Sequence, residues 1–113
     1  MGRALGTPEE RYRTLVATLL GEPGVEPPSG RGFGSGALRT RGKIFAMLSS
    51  RDEFVVKLPR QRVAALVAAG DGVPFDPGHG RVMREWLVVV AASDDAWVSL
   101  AREALTFVSA SSR

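Results

Sequence analysis

The residues most able to do chemistry are few. Asp76 and His79 stand three apart in a Pro/Gly-rich turn, and His79 is the single histidine of the chain. One histidine with one carboxylate is too small a donor set for zinc or iron. As an acid–base pair they would also need a nucleophile or a positioned water. An exposed loop histidine is the ordinary alternative. Gly32-Phe33-Gly34-Ser35-Gly36-Ala37 fits the spacing of a dinucleotide fingerprint. That fingerprint works only between a strand and a helix N-terminus, where the pyrophosphate is held. Here a proline-rich stretch precedes it and a strand pattern follows, so a flexible loop is the plainer reading, with a backbone anion nest beside Arg31 as a minor alternative. The chain has no cysteine, which removes disulfides, thiolate metal sites and cysteine nucleophiles together. No P-loop, G-x-S-x-G elbow or H-E-x-x-H pair occurs. Glu22, Glu26, Asp52, Glu53 and Asp71 fall in loops or at strand ends without evident partners. No catalytic constellation, cofactor or metal is expected, and the chain reads as a binder rather than an enzyme.

Charge gives a stronger lead. The formal net charge is +3, but the excess is uneven. Between residues 31 and 62 lie Arg31, Arg39, Arg41, Lys43, Arg51, Lys57, Arg60 and Arg62, opposed only by Asp52 and Glu53. Such a local excess attracts nucleic acid or acidic partners, and a merely solvated charged face is the plain alternative. The expected nucleic-acid contacts are Arg31, Arg39, Arg41, Lys43, Lys57, Arg60 and Arg62, extended by Arg81 and Arg84.

These side chains must be held by a fold, and 113 residues suit one compact domain. The hydrophobic share of 44% is enough for a modest core. We expect a single domain over 1–113, ordered over 7–108, with a Pro/Gly-rich loop over 22–36. Thr7, Pro8 and Glu10 form a capping-box start, and Tyr12, Leu15, Val16, Leu19 and Leu20 recur at helical spacing. Gly21 and Pro23 stop that helix. Three strands follow over 37–41, 43–49 and 53–58, joined by short turns at Arg41-Gly42 and 49–52, which forces an antiparallel meander. The spacing predicts Leu38, Phe45, Met47, Phe54, Val56 and Leu58 on one face. Arg39, Ile44, Ala46, Leu48, Val55 and Lys57 are predicted on the other.

Pro59 opens a second helix that buries Val63, Leu66 and Val67 and ends at Gly70. Asp71-Gly72 and Asp76-Pro77-Gly78 read as turns bracketing Pro74 and Phe75. The unbroken apolar run Trp86 to Val90 predicts a central strand or one covered on both faces. Ser93 caps a last helix with Asp94 and Asp95 in its first turn, fraying from Ser109. Trp86 and Trp97 sit within apolar stripes, so packing is the expected role for both. The order helix, three strands, helix, strand, helix argues against a doubly wound sheet, and a two-layer α+β sandwich with an antiparallel sheet packed on helices is the simplest architecture that buries every stripe. The longest apolar runs are too short for a membrane span, and Met1 to Thr7 lacks the apolar core of a signal peptide. Met1-Gly2 begins like a myristoylation signal, but Gly6 stands where Ser or Thr is required. A cytoplasmic protein without a membrane partner is expected.

The stretch from Phe33-Gly34 through Gly42-Lys43-Ile44-Phe45-Ala46 resembles the start of the TfoX N-terminal domain. Phe54-Val55-Val56-Lys57-Leu58-Pro59, Gly72-Val73-Pro74-Phe75 and Gly80-Arg81-Val82-Met83-Arg84-Glu85-Trp86 are similar to its later segments. The MmcQ/YjbR family shares this layout. The resemblance spans roughly residues 8–108 and rests on glycines, aromatics and one lysine, which mark fold more than activity. It implies a YjbR-like α+β fold. Some members are associated with DNA binding or gene regulation, competence regulation included, and many have no known role. The C-terminal domain of full-length TfoX proteins has no counterpart in this sequence. Basic and apolar side chains mixed on an outward sheet face suit phosphate contact, and equally suit a homodimer or another protein partner.

Overall fold

The computed structural model describes residues 7–28, 36–78, 80, 82–90 and 93–111. Helix α1 (Pro8–Leu19) begins as its sequence requires. The Thr7 side chain accepts the Glu10 N–H at 3.1 Å, and Glu10 Oε1 accepts the Thr7 N–H at 3.1 Å. Two otherwise unpaired helix-end donors are thereby satisfied. Strands β1 (Leu38–Thr40), β2 (Lys43–Leu48) and β3 (Phe54–Lys57) follow, then helix α2 (Arg60–Ala68). Gly70, with φ of +84°, ends α2 in a Schellman arrangement: the Asp71 N–H donates to the Leu66 carbonyl and the Gly70 N–H to that of Val67. Strands β4 (Gly72–Phe75) and β5 (Met83–Val89) and helix α3 (Asp94–Ser111) complete the chain. The Ala96 N–H donates to Ser93 Oγ at 3.0 Å, fixing the start of α3.

The five strands form one antiparallel sheet in the order β1-β2-β3-β5-β4. The meander and the central position of β5 follow the sequence reading. Two elements depart from it. Gly72 to Phe75, read as part of a turn region, is a fifth strand at the sheet edge. Its Pro74 is tolerated there because an edge strand need not donate every backbone N–H. Helix α3 also runs on through Ser111, where fraying was expected from Ser109; Ser111 Oγ donates to the Phe107 carbonyl at 2.8 Å.

All three helices feed one core against one face of the sheet. Tyr12, Leu15 and Leu19 of α1, Val63 and Leu66 of α2, and Trp97, Leu100, Ala101, Ala104 and Val108 of α3 meet Leu38, Phe45, Phe54, Val56, Leu58 and Leu87. The outer face carries a second, smaller cluster of Val55, Phe75 and Val88 with Met47 and Trp86 against it, and none of these comes from a helix.

The predicted face assignment needs correction for Ala46, Met47 and Leu48. Ala46 and Leu48 join the helix-side core, while Met47 joins the outer cluster. The cause is a bulge: Leu38 pairs with Ala46 while Arg39 pairs with Ile44, so two steps on β2 answer one on β1. An extra residue reverses the alternation of sides beyond it. Phe45 and Ala46 are therefore neighbours in sequence and members of the same core, and Phe45 shares that core with Phe54 as expected.

Close contact also fixes Gly72. A Cβ there would stand 2.6 Å from Leu87 Cδ1 and 2.7 Å from the Val88 carbonyl oxygen, so β4 can lie against β5 only with a bare backbone at this point. On the other edge, the Tyr12 hydroxyl donates to the Gly36 carbonyl and ties α1 to the approach to β1. Burial pushes the Tyr12 phenol far above its ordinary value, against a smaller opposing pull from the Leu38 N–H. A folded-state value above the unfolded one means that this contribution to stability is intact below about pH 10 and is lost as pH climbs beyond it. Tyr12 is the sole tyrosine, so the tyrosinate absorbance band reports it alone. No tyrosinate should form near pH ~10 while the fold persists; ionisation should accompany alkaline unfolding at higher pH. A tyrosinate signal rising near that pH with near-ultraviolet dichroism unchanged would contradict the buried hydroxyl.

Candidate nucleic-acid interface

The β1–β2 connection is a two-residue hairpin loop between the partners Thr40 and Lys43. Arg41 and Gly42 occupy it with φ of 52° and 78°. Positive φ at both positions gives the type I′ twist that suits antiparallel strands, and Asn-Gly is its usual sequence. Arginine pays no role in that preference, and a side-chain-bearing residue held there costs about 1–2 kcal/mol. A neighbouring chain segment braces the turn. The Glu26 N–H donates to the Arg39 carbonyl at 2.8 Å, and Glu26 Oε2 accepts the Gly42 N–H at 3.1 Å. Nothing in the sequence marked Glu26 for this role, since it lies sixteen residues before Gly42 in an irregular stretch.

Arg39, Arg41 and Lys43 are thus gathered on one short ribbon at the sheet edge. Arg41 and Lys43 are exposed and Arg39 is half-buried. Among the described residues no ion pair engages any of the three, and Glu26 is the carboxylate bound to the turn itself. Arg41 lines a cleft with Ser109 and Ala110, and Lys43 lines one with Val108 and Ser111. Both cations therefore flank the last turn of α3, which holds no basic residue of its own. Cations at a helix C-terminus are stabilised by about 0.3–1 kcal/mol each, which gives these two a structural use as well.

Lys57 lines the same cleft as Lys43 together with Glu85, and lies beside Trp86, its Nζ 3.8 Å from Glu85 and 5.3 Å from the Trp86 ring centroid. The remaining expected contacts are farther off. Arg62 makes a two-pronged pair with Glu103, both N–H···O distances being 2.9 Å, and this bond raises its pKa above the ordinary arginine value. Arg60 and Arg84 are exposed and line a groove between α2 and the β4–β5 end. Across the sheet, β5 lies three strand spacings from β1 and β4 four, roughly 14 and roughly 19 Å. Arg31, Arg81 and His79 lie outside the described residues, as do residues 32–35 of the glycine-rich loop. The chain after that loop enters β1, so no helix N-terminus stands there to meet a pyrophosphate. Trp97 is buried in the helix-side core as expected, whereas Trp86 is half-buried on the outer face.

The strained hairpin gives a direct prediction. Arg41→Asn should raise stability by about 1 kcal/mol, because asparagine tolerates this backbone geometry far better. A thermal midpoint several degrees higher would be the readout. A lower midpoint would mean that the arginine contacts with α3 outweigh the backbone cost.

No protein-family model matches the chain, and neither the curated proteins nor the solved structures contain a match.

Proposed function

We propose that this chain is a small non-catalytic binding module that takes up DNA through the cations of its β1–β2 hairpin. The observation that carries this reading is the convergence of Arg39, Arg41 and Lys43 at one sheet edge, with no carboxylate ion pair among the described residues. Five other cations are paired with carboxylates: Arg11 with Asp94, Arg51 with Glu53, Lys57 with Glu85, Arg62 with Glu103 and Arg102 with Glu22. Arg13, Arg60 and Arg84 are exposed without an ion pair among the described residues, but they lie apart from the β1–β2 hairpin. A guanidinium or ammonium without a protein partner keeps its donors for phosphate oxygens. The resemblance to TfoX N-terminal and MmcQ/YjbR domains, and the association of some of these with DNA and gene regulation, agrees with this reading. Contacts of this kind position a duplex without reading its bases, so binding is weak and independent of sequence. No helix of the described chain is long and apolar enough to cross a membrane.

A second reading, self-association, is favoured by the outer sheet face. Met47 and Trp86 are half-buried there, packed around Val55, Phe75 and Val88, which are buried within the single chain, so the apolar surface left for a partner is that of Met47 and Trp86. Pairing along the sheet edges is a poorer route, because Pro74 interrupts one edge and Glu26 bridges to the other. Sedimentation of the chain alone separates face-to-face dimers from monomers.

Titration of a labelled DNA duplex tests the first reading. With about three phosphates engaged, affinity should fall about 40-fold between about 50 and about 200 mM salt. Replacing Arg39, Arg41 and Lys43 by glutamine should abolish most of that dependence, while Arg60→Gln with Arg84→Gln should leave it in place. Absence of binding at low salt, or a salt dependence untouched by the hairpin substitutions, would overturn the assignment.

A further inference from the structure

The groove beside α2 has a different character from the hairpin. Its wall on the helix is formed by Arg60, Ala64 and Ala68, spaced four apart, and by Val63 and Val67. Pro74 of β4 and Val82, at the entry to β5, form the facing side together with Arg84. The groove is open, encloses about 520 Å³ and is apolar along most of its lining. Val82 is 51% exposed and adds to the apolar lining of the groove beside Val63, Val67 and Pro74.

Three features specify what fits there. Ala64 and Ala68 are small and exposed, so a second rod can approach the axis of α2 closely, with the ridges of one seated in the grooves of the other. An extended segment is disfavoured, since β4 offers Pro74 in the middle of its free edge and cannot pair along its length. The charge is one-sided: Arg60 and Arg84 line the groove, and no carboxylate does among its described lining residues. Neither arginine has an ion-pair partner among the described residues. DNA answers the charge but leaves the apolar floor uncovered.

We infer that this groove is the docking site for an acidic amphipathic helix of a partner protein. The apolar stripe of that helix lies on Val63, Val67, Pro74 and Val82, and its flanking carboxylates meet Arg60 and Arg84. The site is independent of the hairpin and of any nucleic acid bound there. It gives the domain two separate partners at opposite ends of one sheet.

The test uses a fluorescein-labelled synthetic helix with leucines at helical spacing flanked by glutamates, and a twin in which every glutamate is lysine. Fluorescence anisotropy should show binding of the acidic helix alone. Its affinity should fall by at least about tenfold in Arg60→Glu with Arg84→Glu, and by a smaller amount in the milder Arg60→Gln with Arg84→Gln. The hairpin glutamine variant should bind it normally, and a DNA duplex should not displace it. Circular dichroism establishes that the exposed substitutions leave the fold intact. Equal binding of the lysine twin, no binding at millimolar peptide, or displacement by DNA would overturn the proposal. So would a concentration-dependent dimer that both occludes the groove and is broken by the Arg60 and Arg84 substitutions.

Discussion

The rings of Phe54 and Trp97 stack with centroids 4.4 Å apart and planes 17° from parallel. This contact joins the middle of the sheet to the first turns of α3. The Arg11 guanidinium lies 4.0 Å above the Trp97 ring and reaches Asp94 at 2.8 Å, while Tyr12 meets Phe54 at 6.1 Å. Three elements remote in sequence are thus locked around one aromatic pair. A buried phenylalanine contributes about 1.5–3 kcal/mol through removal from water, and a cation over a largely desolvated ring adds about 1–2 kcal/mol. More important is what the lock positions. With α1 fixed, the Tyr12 hydroxyl holds Gly36 and so sets where β1 begins. With α3 fixed, its last turn comes to lie beside Arg41 and Lys43.

The bulge between β1 and β2 then decides which side each strand residue takes. By admitting both Phe45 and Ala46 to the helix-side core, it turns Met47 outward to join Val55 and Val88. A regular ladder would bury Met47 and turn Ala46 and Leu48 out. The bulge thus decides which β2 side chains reach the outer face: Met47, in place of Ala46 and Leu48. Ion pairing sorts the cations in a comparable way. Lys57 and Arg62 pair with Glu85 and Glu103, and of the expected contacts among the described residues this leaves Arg39, Arg41 and Lys43 at the hairpin and Arg60 and Arg84 at the groove. These described cations look continuous along the chain but fall on two surfaces in space, with different neighbours.

Much of the architecture was legible because it is written in local chemistry. Thr7 and Glu10 specify the start of α1, Gly70 the end of α2 and Ser93 the start of α3, each through hydrogen bonds within a few residues. The Arg41-Gly42 turn was legible from its glycine and its short length. Strand β4 was not, since four residues containing a proline between two turn signals carry no alternation to detect. The bulge was equally silent, as no glycine marks it and only pairing with β1 defines it. For the candidate site, the residue types were visible and their grouping was not. Neither the separation of Arg60 and Arg84 from the hairpin nor the bracing by Glu26 follows from spacing, because both depend on strand order and on a contact between distant segments.

Under the proposed function, the hairpin cations meet nucleic acid while the other described cations do not. Amide chemical-shift mapping of the isotope-labelled chain with a short DNA duplex at low salt tests it most directly. The account predicts perturbations concentrated at Arg39, Thr40, Arg41, Gly42 and Lys43 and at the adjoining last turn of α3, with Ala64, Val67 and Arg84 unmoved. Perturbations centred on α2 and the start of β5, or spread evenly over every exposed arginine, would contradict it.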